Sequence, residues 1–142
     1  MQIQGINHIG IAAKDVEKAK WFFDEVLELK LLGVEPVAPQ KTNTIMFDSA
    51  NTPAPSLARL EILENIPGED GPIKKFLEKK GAGLHHIALT VDNVSDAIAH
   101  MQNHNVEMID TTPRPGAHQT QIAFVHPRST GGFLVELVEE KK

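Results

Sequence analysis

Two histidines and two glutamates recur at matching places in this 142-residue chain. His8 stands in "INHIGIAAKDVEKA" and His86 in "LHHIALTVDNVSDA", 78 residues on, with Ile9/Ile87, Val16/Val94 and Ala19/Ala97 also repeated. Glu61 in "RLEILEN" superposes on Glu136 in "LVELVEE" at an offset of 75. Between these landmarks "TIMF" (Thr44 to Phe47) echoes "QIAF" (Gln121 to Phe124) at an offset of 77. Landmarks in one order with small drift mark an internal duplication. Two imidazoles and two carboxylates form a mixed nitrogen and oxygen donor set that suits a divalent first-row metal. Coordination positions left open for water or substrate are what a catalytic metal requires.

Each half must position its His and Glu, and each half reads as βαβββ. Strand "INHIGIA" leads to a helix that Asp15 can cap, with Val16, Ala19, Phe22, Phe23, Val26 and Leu27 at helical spacing. Strands follow around Leu31–Val34, Thr44–Asp48 and Leu57–Glu64. In the second half, strand His85–Val91 leads to a helix capped by Asn93, with Val94, Ala97, Ile98 and Met101 on one face. Asn105 is placed to end that helix in the left-handed conformation. Strands around Glu107–Asp110, Gln121–His126 and Gly132–Glu139 complete it. Between the halves, "GEDGPIKKFLEKKGAG" reads as a short helix with Pro72 in its first turn and Gly81 past its end. The turn-rich "SANTPAPS" (Ser49 to Ser56) reads as a surface loop.

Side chains on a strand alternate between faces. His8 therefore lies with Gly10 and Ala12, and His86 with Leu84 and Ala88, on the face that leaves room for a cavity. Ile9 and Ile11, like Ile87 and Leu89, should pack under the helices together with His85. Leu60 and Ile62, or Val135 and Leu137, face the helices too, which turns Glu61 and Glu136 toward the histidines. His86 is thus the ligand candidate of the doublet. His85, which replaces Asn7 of the first repeat, is a structural neighbour.

Length and composition bound what this site can serve. A single α+β domain over residues 1–142 is expected, with module one about 4–66, a linker helix about 70–81 and module two about 83–140. The net charge of −5, with Lys and Arg spread along the chain, argues against nucleic acid as a partner. The absence of cysteine excludes disulfides, thiolate nucleophiles and cysteine zinc sites. No apolar run approaches membrane-spanning length, and "MQIQGINHIG" lacks the pattern of a signal peptide, so a cytoplasmic protein is expected.

These residues resemble the vicinal oxygen chelate superfamily, whose paired βαβββ modules form a cupped mixed sheet around a metal. Within it, "NHIGIA", "LEILE", "GPIKKFLEKKGAGLHHIA", "PRPGAH", "AFVHPRSTGG" and "LVELVE" are most similar to the methylmalonyl-CoA epimerases. The resemblance implies His8, Glu61, His86 and Glu136 as metal ligands, with Co2+ foremost and Mn2+, Ni2+ or Zn2+ as alternatives. It implies epimerisation of methylmalonyl-CoA at C2, by proton abstraction and a metal-stabilised enolate. Glu61 and Glu136 are then the candidates to move the proton on the two faces. An acyl-CoA substrate and a homodimer go with the family. Arg114 and His118, in "TPRPGAHQT", could meet the CoA phosphates or the substrate carboxylate.

The chain departs from the pattern where some members carry a further basic carboxylate, since "QKTNTIMF" offers Thr44 there. A usual glycine near Lys41 is missing, and Gln119 follows "GAH" where glycine is common. Glyoxalase I (lactoylglutathione lyase) shares the ligand pattern and is the nearest alternative, although the central helix speaks against it. A non-haem iron dioxygenase is disfavoured because Glu61 would fill an open position. A metal-free binding or sequestering protein on the same fold would lack some of the four ligands. His100 and His104 read as surface residues, His126 as a turn residue, and "EEKK" as a solvated tail.

Overall fold

The computed structural model describes residues 1–48 and 58–141; the Ser49–Ser56 stretch lies outside the described residues. The chain divides into two compact units, residues 8–85 and residues 1–7 with 86–142.

In the unit of residues 8–85, the part of β1 (Ile3–Ala12) from His8 onward is followed by α1 (Val16–Trp21) and a π-helical turn (Phe22–Val26). Next come β2 (Lys30–Val37), β3 (Thr42–Asp48), β4 (Arg59–Asn65) and α2 (Pro72–Lys80). The strands lie in the order β2-β3-β4-β1, with β1 parallel to β4 and the other pairs antiparallel. Asp15 caps α1 as expected, its Oδ1 accepting the Lys18 amide at 3.1 Å. Val16, Ala19 and Phe23 cover Ile45, Phe47 and Ile62, and the Phe23 and Phe47 rings meet edge to face at 5.5 Å. The fully buried Ile45, Phe47 and Ile62 each contribute roughly 1.5–3 kcal/mol. The expected apolar face stops there, because Phe22, Val26 and Leu27 are exposed. The Leu27 amide bonds the Phe22 carbonyl at 2.9 Å, five residues back, so the added residue turns the next positions off the core.

In the other unit, β5 (Gly83–Val91) from His86 leads to α3 (Val94–Asn103), then β6 (Arg114–Pro115), β7 (Gln121–Val125) and β8 (Leu134–Glu139). The order is β5-β8-β7-β6, with β5 parallel to β8. Asn93 caps α3 by accepting the Asp96 amide at 2.9 Å, and Asn105 takes φ 59°. One face of this sheet packs Ala123, Val125 and Leu137 against Val94, Ala97 and Ile98 of α3. The opposite face carries Ala88, Ile122, Phe124 and Val138.

Three expectations need correction. The strand around Glu107–Asp110 shrinks to a single bridge, Met108 to Val125, because the Asp110 carboxylate takes the Phe124 amide at 2.8 Å. Ile87 is exposed rather than packed under a helix. Finally, "EEKK" is not merely a solvated tail. Glu139 Oε1 accepts the Val94 amide at 2.9 Å, a second cap for α3, and Glu140 Oε1 accepts from Asn7 Nδ2 at 2.5 Å.

Candidate metal centre

Strand alternation brings one His and one Glu together inside each unit. In the first, Gly10 of β1 lies opposite Glu61 of β4, so His8, two residues before Gly10, shares the face of Glu61. His8 Nε2 lies 3.5 Å from Glu61 Oε1, and both side chains are buried. Gly10 and Ala12 are the small neighbours on that face, and Ala12 packs with Leu63 against Ile73 of α2. Burial pushes the Glu61 carboxyl up to about 7; the like charge of Glu35 adds to this and Arg59 opposes it. Glu61 Oε2 is buried and has no hydrogen-bond partner among the described residues. A carboxylate oxygen in that position costs stability until a proton or a cation meets it.

The second unit repeats the arrangement. His86 Nε2 lies 4.0 Å from Glu136 Oε2, both buried, and Ala88 stands opposite Glu136 in the β5–β8 register. The Phe124 ring meets the His86 ring edge on, at 5.8 Å and 88°. His8 and Glu61 in one unit, and His86 and Glu136 in the other, are buried donors of the kinds a metal ion takes. Imidazole nitrogen with carboxylate oxygen, and the unmatched Glu61 oxygen, fit a divalent ion.

The other residues singled out by sequence fall in different surroundings. Arg114 is half-buried, with Nε 3.2 Å from Asp110 Oδ1 and Cζ 5.3 Å from the Phe124 ring centre. His118 is exposed, as are His100 and His104. His126 is the turn residue expected, its Nδ1 accepting the Arg128 amide at 3.0 Å. His85 has a structural setting, but against the linker helix rather than α1 or α3: its ring meets Phe76 of α2 at 4.9 Å. Burial, helped by the Lys80 cation, lowers its pKa to about 4, so it is neutral at pH 7.

Sequence reasoning missed Asn7, Asp110 and Phe124. Asn7 is buried next to His8 and donates to Thr90 Oγ1 at 3.1 Å as well as to Glu140. Its signal was the repeat itself, which sets Asn7 against His85. Asp110 ended an expected strand, and Phe124 closed the "QIAF" echo of "TIMF".

Two βαβββ units, each with a buried His/Glu pair on one sheet face, define an α+β protein of the paired-module class. The chain belongs to the Glyoxalase/Bleomycin resistance protein/Dioxygenase superfamily, which it matches over residues 7–124. It is 40% identical over 136 residues to the uncharacterised protein YqjC of Bacillus subtilis, covering 96% of this chain and 92% of that one. It is 33% identical over 133 residues to the mitochondrial methylmalonyl-CoA epimerase of Mus musculus, covering 93% of this chain and 71% of the relative. Its fold matches a Streptomyces coelicolor methylmalonyl-CoA epimerase variant in complex with 2-nitronate-propionyl-CoA. That match has a TM-score of 0.89 and 29% identity, covering 99% of this chain and 100% of the other. The glyoxalase-like fold that the resemblance implies is the fold of these neighbours.

Proposed function

We propose that the protein is an isomerase that interconverts the two C2 epimers of methylmalonyl-CoA. The observation that carries this reading is the buried His/Glu pair of each unit, in a chain whose relatives bear the epimerase name. His8, Glu61, His86 and Glu136 hold one divalent metal in this reading, Co2+ foremost, with Mn2+, Ni2+ or Zn2+ as alternatives. When bound, the ion supplies Lewis acidity toward the thioester oxygen and fixes the substrate's orientation.

The residues of the chain do the rest. The C2 proton lies between a thioester and a carboxylate, so a base with a pKa near neutrality can take it. Glu61, buried beside His8 with one oxygen unpartnered among the described residues, is the candidate on one face. Return of a proton to the opposite face needs a second carboxylate, and the repeat supplies Glu136. Thr44 does not take this role: it is buried and its hydroxyl donates to the Glu35 carbonyl at 2.9 Å. The same reading makes the protein a cytoplasmic homodimer, for which the exposed Val34, Leu84 and Phe133 offer apolar surface.

The test compares two substrates. Co2+-loaded protein is given a single epimer of methylmalonyl-CoA and, separately, the methylglyoxal–glutathione adduct. Appearance of the other epimer without turnover of the adduct is expected. Turnover of the adduct alone would assign glyoxalase I instead.

A further inference from the structure

Asp110 joins two contacts that bear on the face of His86 and Glu136. One carboxylate oxygen accepts the Phe124 amide at 2.8 Å, and the other lies 3.2 Å from Arg114 Nε. That Nε is buried and makes no aligned hydrogen bond among the described residues, so charge attraction sets the contact. The guanidinium lies over the Phe124 ring, 5.3 Å from its centre, and the same ring meets His86 edge on.

Register puts Arg114 on the productive face. Arg114 of β6 stands opposite Ile122 of β7, and opposed residues share a face. Phe124, two residues on, shares that face and stands opposite Glu136 of β8. Arg114 therefore stands on the face of His86 and Glu136. Its side chain is 34% exposed, so the guanidinium edge away from Asp110 remains open to an anion.

From this geometry we infer that Asp110 is a positioning residue, holding Arg114 over the Phe124 ring as a clamp for the free carboxylate of the substrate. The inference rests on the epimerase reading, because that substrate carries a carboxylate beside the reacting carbon. A planar guanidinium lying over a ring, with a carboxylate drawn to its Nε by charge, offers its two terminal nitrogens to a second carboxylate as a fork. Released from Asp110, the side chain would sample other rotamers and bind the anion less well.

The test measures binding of methylmalonyl-CoA and of propionyl-CoA, which lacks the carboxylate, by calorimetry on metal-loaded protein. Wild type, Asp110→Asn, Arg114→Gln and the double variant are compared, with metal content and kinetics for each. Asn at 110 keeps an oxygen for the Phe124 amide, and Arg114→Gln leaves Asp110 intact, so at least one variant retains the local fold. Each single variant is expected to weaken methylmalonyl-CoA binding about tenfold, and the double variant no further. Propionyl-CoA binding should be unchanged, and the loss should appear in KM with kcat kept. Losses that multiply in the double variant would overturn the inference. So would equal losses for propionyl-CoA, or losses confined to kcat. If the wild type neither binds nor epimerises methylmalonyl-CoA, the epimerase reading itself fails, and the inference with it.

Discussion

Glu61 Oε1 faces His8 Nε2 at 3.5 Å while its other oxygen, Oε2, is buried with no hydrogen-bond partner among the described residues. A carboxylate oxygen held in this way is costly until a proton or a cation meets it. The equivalent pair, His86 and Glu136, shows the same geometry at 4.0 Å. The repeat in the sequence is thus a repeat in chemistry.

Replacing Glu136 tests its proposed role as a ligand through the metal. Glu136→Ala is expected to weaken metal binding by more than about a hundredfold and to abolish turnover with it. Isothermal titration with Co2+, together with metal analysis of purified protein, checks this. A variant that keeps full metal and full turnover would remove Glu136 from both roles.

Glu61 makes a pH prediction for the metal-free protein. Its carboxyl is raised from 4.5 to about 7, first by burial and then by Glu35, so the folded state favours the protonated form. The favourable contribution is full below about pH 4.5 and is lost as pH rises through about 7. Glu61→Gln cannot ionise and is spared that loss. Its stability relative to wild type should therefore grow between these limits, by on the order of 3 kcal/mol. Denaturant unfolding of both proteins at pH 4 to 8 reads it, and a constant difference would contradict it.

His85 predicts the opposite slope. Its pKa is lowered to about 4, by burial and then by Lys80, so folding favours the neutral ring. Its contribution is full above pH 6.5 and is lost as pH falls toward 4. His85→Phe keeps a ring against Phe76 and should flatten this part of the stability profile, with turnover unchanged. A large fall in turnover at full metal occupancy would show that His85 does more than pack.

Gln119 takes φ 60° and Lys41 φ 53°, a left-handed conformation at each of the two places where family glycines are missing. Gln119→Gly should stabilise the protein by roughly 1 kcal/mol, since glycine adopts that conformation without a Cβ penalty. Thermal unfolding tests it; a lower melting temperature would mean that the Gln119 side chain supplies more than its backbone costs.

The two modules were legible because their signals are local. Asp15, Asn93 and Asn105 declare helix ends within a few residues, and strand alternation fixes which way His8, Glu61, His86 and Glu136 turn. What escaped depends on distant partners or on backbone detail. Asn7 meets Glu140 across 133 residues, and no local pattern announces that bond. The π-helical turn after α1 shifts the register by one residue, so Val26 and Leu27, which follow it, leave a face that spacing alone gives them. Asp110 looked like the end of a strand until its carboxylate was seen to take the place of the backbone at Phe124.

The central claim is that the paired His/Glu site removes and returns the C2 proton of methylmalonyl-CoA. Proton NMR of methylmalonyl-CoA in D2O with metal-reconstituted protein tests it most directly. The account predicts deuterium entering C2 only when protein and metal are both present, with the rate abolished in His86→Ala. No exchange above the background of metal alone, from protein that holds its metal, would contradict it.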